Sequence, residues 1–319
     1  MKGRTGTSRR LRLLMSAKKH HYVPKFYLRK YATDTEQIRT VRLPGDRWYT
    51  SSITDTGSEN RFYTIPQNIV NPESLEDAFG EIENAAAPVL RDIEAGKWPL
   101  SLDDRVAVAA FVTMQALRGP DQRRLMNSLQ LEMVDRESRY VAEHGAAQWF
   151  ADHGVHADEK QAAKAWQLLI RADEPFVEID AAYHAGQIGR LAETVLPHIL
   201  ARRWSLIKLD IPSLITSDAP VSLNDVRDGR PGPWGLLNAP TISFPLSRTM
   251  ALILAKAVPA QTRLDMEAVV NGAFDSVVVG TGEDAKRLNE RTAHNAGLAV
   301  FHHPSDEALV PTTLPRPRE

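Results

Sequence analysis

The chain has 319 residues, 43% hydrophobic and 25% charged, the make-up of an ordinary globular protein of one elaborate domain or two intimate ones. Its 39 Lys and Arg against 40 Asp and Glu leave a formal charge of −1, which argues against a globally basic nucleic-acid binder. With no cysteine there are no disulfides, thiolate nucleophiles or Cys-based metal sites, and no apolar run reaches the ~18–20 residues of a membrane span. A reducing cytoplasm suits such a chain and is the expected location, with no membrane partner.

Ten Lys and Arg precede the first acid, Asp34. Residues 1–17 read as a disordered basic tail. Leu11, Leu13 and Leu14 are too few for a signal-peptide core, and Met15 is an alternative start. The run Lys18 to Tyr31 then sets two adjacent histidines, three tyrosines and a phenylalanine among five basic residues. Pro24 opens a short helix there, with Phe26, Tyr27 and Tyr31 on one side and Lys25 and Arg29 stacked at i,i+4 on another. Those like charges repel, so an anionic ligand or a carboxylate elsewhere in the fold must offset them.

A hairpin over 38–43 and 48–53 follows, then a strand at Asn60–Ile65. Ser74 with Asp77 caps a helix to about Ala95, in which Pro88 is expected to cause a kink or a break. Ser101 with Asp104 starts another helix that stops at Gly119-Pro120, and further helices are expected over about 121–144, 157–172 and 178–202. From Trp204 the pattern turns to strands at 205–209, 213–216, 241–244, 250–254 and 298–301, with a loop at 226–240 and a helix at 282–295. The fold class is α+β and mostly helical: a small N-terminal helix-plus-hairpin unit (18–73), a central helical bundle (74–202) and a C-terminal mixed sheet (203–303). These make one composite domain, with 304–319 a second disordered tail.

Several polar residues stand where chemistry could sit. Glu76 and Glu83 are two helical turns apart and face the same way, and Glu83 has the apolar run Ala85-Ala86-Ala87 beside it. A packed carboxylate needs a partner, and His20, His21, Lys25 and Arg29 are the candidates. Gln115 and Arg118 end a mostly apolar helix, and Ser217-Asp218 ends an apolar strand. The structural reading stands beside each: a solvated acidic face, a helix-terminal arginine, an Asx-turn before Pro220, and histidines bonded to backbone.

The run HHYVPKFYLRKY resembles the opening signature of a bacterial domain-of-unknown-function family, the one numbered 4238. The E-x6-E pair, the Q-x2-R-x-P ending, SDAPV (where the family has mostly SDNPV), FPLS and a Leu-Asn pair resemble its later motifs. The resemblance carries no known activity. HHYVP also resembles the HHxxP core of HNH-type nucleases, and Arg139 to His144 fits the R-x4-H pattern of HEPN-type ribonucleases. Both are short enough to arise by chance, and His302-His303 reads as surface.

Two functions follow from these residues. In the first, His20, His21, Glu76, Glu83 and Asp218 are catalytic, and Arg29, Gln115, Arg118 and Ser217 bind substrate. The pocket would hydrolyse a phosphate-containing small molecule or nucleic acid, with His21, Glu76 and Glu83 as candidate ligands for a divalent metal. His21 would face the carboxylates of the 74–95 helix and keep its proton to higher pH. In the second, the protein is a non-enzymatic binding or interaction module and the same polar cluster is structural. Burial and hydrogen bonding discriminate the two.

Overall fold

The computed structural model describes residues 19–60, 74–169, 181–224, 235–256 and 265–318. The expected basic tail and most of the 60–65 strand lie outside these residues.

The chain begins with β1 (Lys19–His21), which pairs antiparallel with β4 (Ser58–Asn60). Between them come the short helix α1 (Lys25–Leu28), a 3-10 turn (Arg29–Tyr31), and the hairpin of β2 (Gln37–Arg42) and β3 (Arg47–Ser52). Helix α1 has a single turn, with Pro24 as its N-cap, so Arg29 leaves the helix at the C-cap. The cation of Arg29 is offset by Glu36, whose Oε1 accepts from Nη2 at 2.6 Å. Tyr27, Leu28 and Tyr31 are fully buried, which settles the aromatic run as core.

Helices α2 (Ser74–Glu94) and α3 (Leu102–Leu117) follow, then α4 (Pro120–His144), α5 (Ala146–Asp152), α6 (Glu159–Leu169) and α7 (Ala181–Leu200). Helix α2 runs unbroken through Pro88, contrary to a break there. Ser101 caps α3 as its spacing predicts, its hydroxyl accepting from the Asp104 amide at 3.2 Å. Helix α3 packs against both α2 and α7, and this explains its apolar character. Helix α5 was not expected.

The C-terminal part supplies β5 (Arg203–Lys208), β6 (Thr216–Ser217), β7 (Ser222–Asn224), β8 (Thr241–Ser247), β9 (Met250–Ala255), α8 (Met266–Val270), β10 (Ser276–Val279), α9 (Gly282–Asn295) and β11 (Ala299–His302). Two sheets result. A mixed sheet has the order β10-β5-β9-β8-β7, with β10 parallel to β5 and the other pairs antiparallel. A four-stranded antiparallel sheet has the order β3-β2-β11-β6. The first hairpin is therefore no separate unit, because β2 pairs with the last strand. The strand at 213–216 shrinks to β6, and β7, α8 and β10 are additions to the expected series.

Both sheets meet the core through Tyr27. Its hydroxyl donates to the Pro245 carbonyl of β8 at 2.7 Å and lies 2.7 Å from Thr216 Oγ1 of β6. Its ring stacks on Phe244 at 5.2 Å. The C-terminal stretch 304–318, expected as a tail, is instead held against the fold. Val310 is buried, and the Arg318 amide donates to Gly297 at 2.9 Å.

Candidate functional site

Arg118, at the C-cap of α3, brings the sequence-predicted residues together. Its side chain is 1% exposed. Nη1 donates to Glu83 Oε1 of α2 at 2.8 Å, and Nε donates to the Tyr22 carbonyl at 2.7 Å. With the Gln115 amide oriented so that its oxygen faces the guanidinium, that oxygen accepts from Nε at 2.9 Å and Nη2 at 3.1 Å. The Phe79 ring lies 5.5 Å from the guanidinium carbon. The partner of Glu83 is thus Arg118, and not one of the basic residues of the first helix. The helical face that carries Gln115 and Arg118 does aim both inward, as their place on an apolar helix suggested.

His21 stands beside this cluster without joining it. Its Nε2 donates to the Thr54 carbonyl at 3.1 Å, which leaves the lone pair on Nδ1. Burial first, then the charges of Lys25 and Arg118, push its pKa below the ordinary histidine value, with backbone hydrogen bonds at Ile53 and Thr54 acting against them and no carboxylate among the opposing causes. This corrects the expectation of an imidazole held protonated by α2. His20 lies on β1 and Glu76 on α2, but their side chains lie outside the described residues. Arg29 is at the surface with Glu36, away from the Arg118 cluster.

Asp218 is 3% exposed and follows β6 directly. Its carboxylate is taken up by two backbone amides, Gly297 to Oδ1 at 2.9 Å and Leu298 to Oδ2 at 2.7 Å. Ser217 Oγ accepts from the Ala219 amide at 3.2 Å. Asp218 stabilises the turn that starts β11, and Ser217 the turn that leaves β6. The turn at Ala219 is held by Asn295, whose Nδ2 donates to the carbonyls of Ala219 at 2.7 Å and Val221 at 2.9 Å. Asn289 ties α9 to the strand region, accepting from the Ile215 amide at 3.1 Å and donating to Ser213 at 2.8 Å.

Sequence reasoning missed two features. One is Tyr22. Its carbonyl belongs to the Arg118 cluster, while its hydroxyl is pushed well above the ordinary tyrosine value by burial, then by Asp218 and Glu59, with Arg42 acting against them. The other is the row across the sheet that passes this tyrosine. Arg47 of β3 is opposite Arg42 of β2, Arg42 is opposite Ala299 of β11, and Asp218 follows, its main-chain N–H donating to the Ala299 carbonyl at 3.1 Å. Residues so far apart in the chain share no local signal. His302, read as surface, is fully buried on the other face of that sheet, its ring 5.9 Å from Trp48.

Among the described residues no three His, Asp or Glu side chains are grouped closely enough to hold a metal ion. His21 and Glu83 therefore have no third described ligand. No helix is long and apolar enough to cross a membrane.

No curated protein and no solved structure matches the chain. The family described as "Protein of unknown function (DUF4238)" matches residues 19–306, and the chain belongs to it.

Proposed function

We propose that the protein is a non-enzymatic binding module and that the Glu83–Arg118–Gln115 cluster is a clamp holding the Tyr22 segment to α2 and α3. The observation that carries this reading is the saturation of Arg118, whose Nε, Nη1 and Nη2 are all turned to protein acceptors. A guanidinium whose three nitrogens are all turned to protein acceptors is poorly placed to grip a phosphate, and the Asp218 carboxylate accepts from two amides in the same structural fashion. The hydrolase alternative places catalysis on His21 with Glu83, and their separate bonding patterns count against it. The test is a hydrolysis screen of phosphomonoesters and phosphodiesters with wild-type protein and His21→Ala. The module reading expects no turnover from either. Turnover by the wild type that His21→Ala abolishes, in a protein that still folds, would establish the hydrolase.

A further inference from the structure

We propose that Arg42 and Arg47 form a binding site for a phosphoryl group on the first hairpin. The proposal rests on the module reading and names what the module binds. The two residues are partners in the β2–β3 register, so their side chains leave the same face of the hairpin side by side. Like charges directly opposite each other repel, and an anion bound between them would relieve that repulsion. Arg29, Arg105, Arg118 and Arg248 each have a carboxylate partner. Among the described residues the side chains of Arg42 and Arg47 have no ion pair and no hydrogen bond. The acids near them do not fill that role. Asp218 is committed to the amides of Gly297 and Leu298, while Asp46 and Glu59 are exposed to solvent.

The neighbouring pair on the same face adds a second observation. Thr40 and Tyr49 are partners in register, and Thr40 Oγ1 is buried with no hydrogen-bond partner in a residue only 3% exposed. Beside it the Tyr49 ring lies 5.3 Å from the Arg47 guanidinium carbon, which limits where that guanidinium can point. Two planar cations and a hydroxyl on one face suit an oxyanion that carries two charges and several acceptor oxygens. Each guanidinium can bind such a group through two parallel N–H bonds. A carboxylate, with a single charge, would leave one of the two arginines uncompensated. A phosphoryl dianion matches both. Such a group could come as free phosphate or on a nucleotide, and the experiment separates these sources.

The test is calorimetric titration of the full chain with inorganic phosphate and with adenosine 5′-monophosphate, with adenosine as the uncharged control. Saturable phosphate binding is expected, weakened about tenfold or more in Arg42→Gln and in Arg47→Gln, the loss of a charge-assisted contact. Arg39→Gln, on the opposite face of β2, is expected to bind like the wild type. Arg47 is exposed, so its variant keeps the test readable even if Arg42→Gln fails to fold. Tighter binding of the nucleotide than of phosphate would identify a nucleotide ligand, and equal binding would identify phosphate alone. No saturable binding of either anion, or undiminished binding in the Arg42→Gln/Arg47→Gln double variant, would overturn the site and leave the module reading intact. Release of phosphate from the nucleotide by wild-type protein would overturn the module reading and leave the site intact.

Discussion

Arg118 donates to the main-chain carbonyl of Tyr22 at 2.7 Å, so a side chain from the end of α3 fixes the backbone of the histidine-tyrosine segment. The same segment is pinned from its other side by the Gly57 carbonyl, which accepts from the amides of Tyr22 at 2.9 Å and Val23 at 3.1 Å. A backbone held at both its carbonyl and its amide has little freedom to move. The clamp holds this tyrosine where the charges of Asp218 and Arg42 act on its hydroxyl.

Removing the acid of that clamp should cost stability. Glu83→Ala leaves a guanidinium that is 1% exposed without its counter-charge. Breaking a fully buried pair costs about 3–5 kcal/mol, and the partial exposure of Glu83 lowers the expectation to about 2–3 kcal/mol. Urea midpoints of the two proteins measure it. A change under ~0.5 kcal/mol would show that the clamp contributes nothing to the fold.

Acid should destabilise the protein above the range where carboxylates titrate. Burial is the leading cause that lowers His21, His294, His302 and His303 below the ordinary value of 6.5. The folded state therefore binds protons less readily than the unfolded state. Each depressed histidine contributes stability that is present above pH 6.5 and is lost as the pH falls below it, by at most about 1.4 kcal/mol per pH unit. Thermal melts between pH 7.5 and 5 should show the decline. His302 is the most buried of the four, so His302→Asn should flatten the slope most, and an unchanged slope would remove it from this role.

Arg105 and Asp275 form a buried pair, with both side chains 1% exposed. Desolvation outweighs their attraction on each side, lowering Arg105 and raising Asp275. Asp275→Ala alone strands the arginine over the Trp204 ring and should cost about 3–5 kcal/mol. The double variant Arg105→Met/Asp275→Ala removes the stranded charge as well and should be more stable than the single variant. Calorimetric melting of both proteins decides the order, and the reverse order would mean that the bonds of Arg105 to the Arg202 carbonyl and the Trp204 ring outweigh the cost of burying its charge unpaired.

Tyr27→Phe removes a hydroxyl that serves both sheets, through Thr216 Oγ1 and the Pro245 carbonyl. Two buried groups lose their partner at once, so about 1–3 kcal/mol is expected, with the ring stacking on Phe244 preserved. Denaturant midpoints check it, and a neutral result would mean that water replaces the hydroxyl.

Elements whose signal is local were legible in the sequence. The Ser101 cap, the first hairpin and α9 fall where residue pattern and capping chemistry place them. Glu83, Gln115 and Arg118 stand out in the sequence and the fold brings them together, but the cation that meets Glu83 comes from the end of α3 and not from the first helix. Helix packing decides that pairing, and helical periodicity does not encode which helix packs where. Arg202 shows the same limit. It is 2% exposed and donates to the carbonyls of Ala239 at 2.9 Å and Leu236 at 2.9 Å, yet nothing in its local sequence separates it from the exposed Arg203. Arg42 and Arg47 are visible as residues, but only the register makes them a pair.

The position of β11 between β2 and β6 has a consequence for how the protein is made. The hairpin leaves the ribosome long before the strand that completes its sheet, since β2 ends at Arg42 and β11 begins at Ala299. Until then β2 presents an unpaired edge, and its buried face, including Ile38, has no cover. Until β11 is made the nascent chain is thus an open-edged intermediate, in need of protection from association with its neighbours.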